Sequence, residues 1–240
     1  MGKKLPIFYS ALLLTGVNLL LRFAGTSFQV YLSGKIGASG IGLLQLVLSV
    51  GALALTAGMG GIRTATMYLT AETVGQKNQS QMHWVLSGCI LYSILLSTAV
   101  STGLYFFAPI ITDKWIGNQS TIGAIRLLAF FLPVNCLCGV MIGYFTGVNK
   151  IGTLATVEVV EQLFSMTGTV MLLKLWANSD PEKASIAVVM GSGIGACFTV
   201  ITLAILRHKE NIQQVKRISV RKKLFETAIP LAIADNMKAG

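Results

Sequence analysis

Long apolar segments separated by short polar links set the terms for this chain. Six of them run over residues 5–32, 41–69, 84–111, 122–145, 153–175 and 184–206. About 20 apolar residues suffice to cross roughly 30 Å of hydrocarbon as a helix. Inside lipid a lone segment satisfies its backbone N–H and C=O groups only by coiling into one. The pattern therefore predicts an all-α, polytopic helical membrane protein. Composition agrees, since 53% of the 240 residues are hydrophobic and 12% are charged, against about a quarter charged in a soluble domain.

The net charge of +10 does not mark a nucleic-acid binder, because the basic residues share no single surface. They fall in alternate links. One side takes Lys3, Lys4, Lys77, Lys150, Arg207, Lys209, Lys216, Arg217, Arg221, Lys222 and Lys223, and the other takes Lys35, Lys114, Lys174 and Lys183. Cytoplasmic links are the Lys- and Arg-rich ones, so the N-terminus is expected in the cytoplasm. Six spans return the chain to that side at Arg207, where a basic stretch begins. Trp84, Trp115 and Trp176 stand at span ends, where interfacial aromatics belong.

The expected organisation is a six-helix lobe over 1–206, a basic cytoplasmic linker over 207–223 and the start of a second lobe over 224–240. The linker reads either as a plain connector or as an amphipathic helix on anionic lipid. The last segment breaks off within an apolar run, at Gly240, with Asp235 and Lys238 near its end. Lys3-Lys4-Leu5 opens the first span and Lys222-Lys223-Leu224 the last run. Two such halves entering from one side form a parallel repeat, a known transporter plan. A folded lobe without transport of its own is the expectation for these residues.

Charges inside the spans are the candidate functional groups, since each costs at least about 2.5–3.5 kcal/mol near the bilayer centre. Arg22 lies 11 residues before Ser33, roughly 16 Å from the end of its helix. Asn18 is one turn before it and Gln29 two turns after, forming a polar stripe on an apolar helix. The stripe either lines a cavity, where Arg22 meets an anionic substrate such as a pyrophosphate, or Arg22 pairs with another helix or snorkels toward the interface. Arg63 follows Gly58-Met59-Gly60-Gly61 near the end of the second span, placed to line an entrance or to snorkel to headgroups. Glu158, Glu161 and Gln162 share one face of the fifth helix. They suit a coupling cation, a change of protonation, or a salt bridge to Arg63. Arg126 sits in the first turn of the fourth span and is expected to snorkel.

Pro133 removes one backbone hydrogen bond from the fourth span and is expected to kink it. Gly139, Gly143 and Gly147 follow at steps of four, a small-residue ridge for close packing. The segment Gly37-Ala38-Ser39-Gly40 reads as an external turn rather than a phosphate loop. Cys89, Cys136, Cys138 and Cys197 all lie in apolar runs without metal-site spacing and read as packing residues. No metal and no cofactor are expected, and no hydrolase, zinc-protease or phosphate-loop motif occurs.

Three segments are similar to the polysaccharide-export and lipid-linked-oligosaccharide flippases of the multidrug/oligosaccharidyl-lipid/polysaccharide exporter superfamily. They are Arg22 with the turn Gly37-Ala38-Ser39-Gly40-Ile41-Gly42; Gly58-Met59-Gly60-Gly61-Ile62 leading to Ala71-Glu72; and Gly143-Tyr144-Phe145-Thr146-Gly147 before Val157-Glu158-Val159-Val160-Glu161-Gln162. The likeness covers the family's N-terminal half. It implies two six-helix lobes around a central cavity and alternating access in the bacterial cytoplasmic membrane. The cargo would be a lipid-linked saccharide of the polyprenyl diphosphate type, moved from the inner to the outer leaflet, with membrane lipids and a coupling cation as further partners. In related lipid II flippases, first-helix arginines line the cavity, and Arg22 fits such a position. The chain has no second arginine close to it on that helix. Flipping breaks no covalent bond, so the resemblance implies a transporter and not an enzyme. A cation-coupled multidrug exporter of the same superfamily is the main rival. It would favour acidic groups deep in the first two spans, which have none before Glu72. A membrane assembly factor without transport would carry no such cavity, and a membrane-embedded transferase would need deep histidines or paired carboxylates toward the outer side, which the spans lack.

Overall fold

The computed structural model describes residues 7–76, 79–177 and 181–208. Every regular element among them is a helix. In chain order these are α1 (Ile7–Met59), α2 (Ile62–Gly75), α3 (Gln79–Ile111), α4 (Ile122–Gly147), α5 (Ile151–Leu172) and α6 (Pro181–His208). A π-helical turn extends α3 over Thr112–Ile116, and another extends α5 over Leu173–Ala177. The expected linker beyond His208 and the segment 224–240 lie outside the described residues.

Two glycine sites revise the expected segmentation. The first two spans were expected to be separated by a link at 33–40, but helix continues on both sides of one residue, Gly37, at φ 73° and ψ 173°. A residue with a Cβ strongly resists such a backbone, whereas glycine accepts it. Leu32, Ile36 and Leu44 are buried with Ala184 of α6 around this corner, so hydrophobic packing holds the would-be loop in helical form. The second expected span, 41–69, is in turn divided. Gly60 and Gly61 take φ of 45° and 70°, and two left-handed residues in succession end a right-handed helix. Arg63 therefore opens α2 rather than closing a long span.

Four continuous stretches are long and apolar enough to cross a membrane: Thr15–Gly75, Gln81–Ile116, Gln119–Gly147 and Glu182–Arg207. Helix α5 is less apolar because Glu158, Glu161 and Gln162 interrupt it. Helix α4 occupies the centre and packs on α1, α2, α3 and α6. Its sequence is apolar around most of its circumference, as a helix surrounded by others must be. One half of the core gathers around Val140, Met141, Tyr144 and Phe145 of α4 with Ile62, Leu86 and Leu203. The other half gathers around Ile125, Ala129 and Leu132 with Val47, Leu104 and Val189.

Between these halves sits Pro133, and α4 continues through it. A proline has no N–H to give the carbonyl four residues earlier, which here belongs to Ala129. Ser101 of α3 supplies the missing donor, with its Oγ donating to that oxygen at 2.6 Å. The glycine ridge also works as expected. A Cβ on Gly143 would fall on the Arg63 carbonyl, and one on Gly147 would lie 2.7 Å from the Met67 carbonyl. The absence of side chains lets α4 lie against the α2 backbone. At the end of the bundle where α6 finishes, Arg207 hydrogen-bonds His83 Nδ1 at 3.1 Å and stands 5.8 Å from the centre of the buried Tyr144 ring. That contact ties α6 to α3 and α4.

Candidate functional site

The polar stripe of α1 is exposed. Asn18, Arg22 and Gln29 all lie on open surface of the lobe, and the Thr26 hydroxyl caps the Arg22 carbonyl at 3.0 Å. A cation left in the open on an apolar helix can still reach phosphate oxygens through its planar fork of N–H donors.

The second candidate group is internal. Glu158, Glu161 and Gln162 are half-buried on α5. Thr199 of α6 donates its hydroxyl to Glu161 Oε2 at 2.6 Å, a charge-assisted bond of the short, strong kind. Glu158 Oε2 is buried and has no hydrogen-bond partner among the described residues. The Arg63 side chain acts on Glu158 electrostatically, and Cys138 of α4 feels Glu158, Glu161 and Arg63 together. The expected link between the α5 carboxylates and Arg63 is thus a through-space one that leaves one carboxylate oxygen open. Arg63 itself is exposed, held by the glycine ridge at its backbone.

The two groups meet. A Cβ on Gly25 would lie 4.0 Å from Gln162 Nε2, so α1 crosses α5 one turn beyond Arg22. Small residues again make the approach possible on the other flank of α5. Gly191 and Gly195 of α6 pack on Ser165, Thr169 and the Glu161 carbonyl. Sequence reasoning missed Thr199 and Cys138 as members of this cluster. The signal for Thr199 was present: Gly191, Gly195 and Thr199 stand at steps of four, the same small-residue spacing that was recognised on α4. Cys138 carried no such signal, because only the packing of α4 against α5 brings it near the carboxylates. Arg126, expected at an interface, is exposed and stands 5.2 Å from the centre of the Tyr105 ring. Among the described residues no three His, Cys, Asp or Glu side chains gather as a metal site would require.

The fold of this chain is similar to one half of solved transporters of the MOP superfamily. A multidrug resistance MATE family transporter of that superfamily, in an outward-facing conformation, matches with a TM-score of 0.66 at 13% identity, over 95% of this chain and 51% of that one. A MOP superfamily transporter from Pyrococcus furiosus, whose binding pocket is described as reversed in polarity and suggestive of a different function, matches with a TM-score of 0.66 at 15% identity over the same shares. In sequence, the chain is 21% identical over 216 residues to stage V sporulation protein B of Bacillus subtilis (strain 168), over 90% of this chain and 41% of that protein. No family model matches the chain. The chain spans about half or less of the length of these proteins. The likeness seen in the sequence, to one half of an exporter of this superfamily, is borne out. The solved proteins that it resembles are described as transporters.

Proposed function

We propose that these residues form the N-terminal lobe of a flippase that carries a lipid-linked saccharide from the inner to the outer leaflet of the bacterial cytoplasmic membrane by alternating access. Residues 1–206 are the lobe, 207–223 the cytoplasmic connector and 224–240 the start of the second lobe, with the N-terminus in the cytoplasm. The observation that carries this reading is the exposed stripe Asn18–Arg22–Gln29 on an otherwise apolar helix. Lipid is a costly neighbour for a guanidinium, so the stripe turns to a water-filled cavity between lobes. There Arg22 receives the diphosphate, while Asn18 and Gln29 bond the sugar. The polyprenyl tail stays in the hydrocarbon and needs no polar host. Arg63 lies at the cytoplasmic entrance. Glu158 and Glu161 hold the coupling cation or proton, beside Gln162 and the crossing of α1. On this reading the cargo is a peptidoglycan or polysaccharide precursor of the spore envelope, the name of the Bacillus subtilis relative being the support.

The test is Arg22→Ala in the complete protein, reconstituted in vesicles with a fluorescent lipid-linked saccharide. Translocation is expected to vanish while membrane insertion and thermal stability stay at wild-type levels. Undiminished translocation overturns the role of Arg22. A second reading, a cation-coupled multidrug exporter, is favoured by the buried Glu158 oxygen. It requires cation-driven efflux of a small drug and indifference to lipid-linked sugars in the same vesicles.

A further inference from the structure

A groove of about 500 Å³ runs along the outside of the lobe between α3 and the arm of α1 that follows Gly37. Val50, Leu53, Val100, Leu104 and Phe107 line it, Gly103 lies in its floor, and Trp115 stands at one end. We propose that it is a binding site for one acyl chain of a zwitterionic glycerophospholipid, distinct from the polar stripe and from the acidic cluster.

The dimensions fit a single chain. Val100 to Trp115 spans about 22 Å of helix, against roughly 15 Å for half of a 30 Å hydrocarbon core plus the headgroup zone. The lining side chains are all apolar, so nothing in the groove would bond a sugar or a peptide backbone. Gly103 keeps the floor open, because a Cβ there would meet nothing within 4 Å.

The end of the groove carries the polar half of the match. Trp115 is 72% exposed, an indole at the level where membrane aromatics meet headgroups. It belongs to the π-helical turn Thr112–Ile116, in which Asp113 and Lys114 are consecutive and exposed. Lys114 offers a cation to the lipid phosphate and Asp113 an anion to its amine. A headgroup bearing both charges finds both partners, and its chain enters past Trp115.

The experiment uses the purified complete protein with every tryptophan except Trp115 replaced by Phe, Trp84 and Trp176 among them, so that Trp115 alone fluoresces, and phosphatidylethanolamine brominated at mid-chain as the probe. Quenching is expected to saturate at a single lipid per chain. Gly103→Phe should fill the groove and raise the half-saturating concentration by about tenfold or more, a loss of 1.4 kcal/mol or more. Gly152→Phe, also at a site with open space around it, should leave it unchanged. Three results overturn the proposal. Quenching that rises without saturation and ignores Gly103→Phe means ordinary boundary lipid. Trp115 shielded from the probe means that another protein segment fills the groove. Displacement of the probe by an equal or lower concentration of polyprenyl phosphate means an isoprenoid site.

Discussion

The glycines of the first arm of α1 and those of α4 and α6 look alike in the sequence and do opposite things in the lobe. Gly16 and Gly34 of α1 have nothing within 4 Å of where a Cβ would stand. Gly143, Gly147, Gly191 and Gly195 each lie against another helix, mostly against its backbone or Cβ. So α2, α4, α5 and α6 form a scaffold knit together along these glycine ridges, where an added Cβ would meet a neighbouring helix. The arm over residues 7–36 is laid onto it, touching α5 near Gly25 and α6 near its own end. The candidate charges divide the same way. Glu158 and Glu161 belong to the scaffold, where their geometry is imposed by neighbours. Arg22 belongs to the arm, where it lies exposed and, among the described residues, is positioned by its own helix. A transporter needs both kinds of site: one rigid enough to sense a small ion, and one open enough to admit and release a bulky headgroup.

The comparison breaks most visibly at the ridges. Gly143→Val places a side chain on the Arg63 carbonyl, and overpacking of this kind costs about 3 kcal/mol or more. The lobe should lose its monodisperse peak in detergent chromatography and melt well below wild type. Gly34→Ala on the arm should do the reverse, gaining up to about 1 kcal/mol from helix propensity. Equal effects at the two sites would show that arm and scaffold are packed alike.

Next is the polar contact that α3 makes with the scaffold at the proline site of α4. Ser101→Ala strips the donor from the Ala129 carbonyl and should cost about 1–3 kcal/mol, the penalty of a buried unpaired group. Adding Pro133→Ala restores an N–H four residues on, so the double variant should recover most of the loss in thermal denaturation. If it does not, Ser101 holds α3 to α4 for some other reason. Last comes the division within the acidic cluster, where one variant should cost about as much and the other nothing. Thr199→Val removes a hydrogen bond to a carboxylate and should lower stability by about 1.5–3 kcal/mol. Glu158→Gln alters an oxygen that has no described partner, so stability should hold or rise while any cation dependence of transport disappears. A large stability loss in Glu158→Gln would mean that this carboxylate is structural after all.

Much of this was legible in the chain itself. Apolar length and the spacing of Gly139, Gly143 and Gly147 are one-dimensional properties, and so is the register of Glu158, Glu161 and Gln162. They carried over because a helix turns equal spacing into a shared face without help from the rest of the fold. The two helix breaks did not carry over. Gly37 to Gly40 reads as a loop by composition, and only the burial of Leu32, Ile36 and Leu44 against α6 keeps helix on both sides of Gly37. Gly60 and Gly61 sit inside an apolar run that looks continuous, yet their left-handed backbone divides it.

What the sequence determined by itself is the class of solvent, the helical secondary structure and the few charges that must be explained. These follow from the cost of leaving backbone or charge bare in hydrocarbon, which is paid locally, residue by residue. What only the tertiary structure decided is who meets whom. Ser101 answers Pro133 from another helix, Thr199 reaches Glu161 across 38 residues, and Gly25 brings the Arg22 arm to Gln162. Each contact joins points distant in the chain, and helix packing, which depends on all the helices at once, selects it.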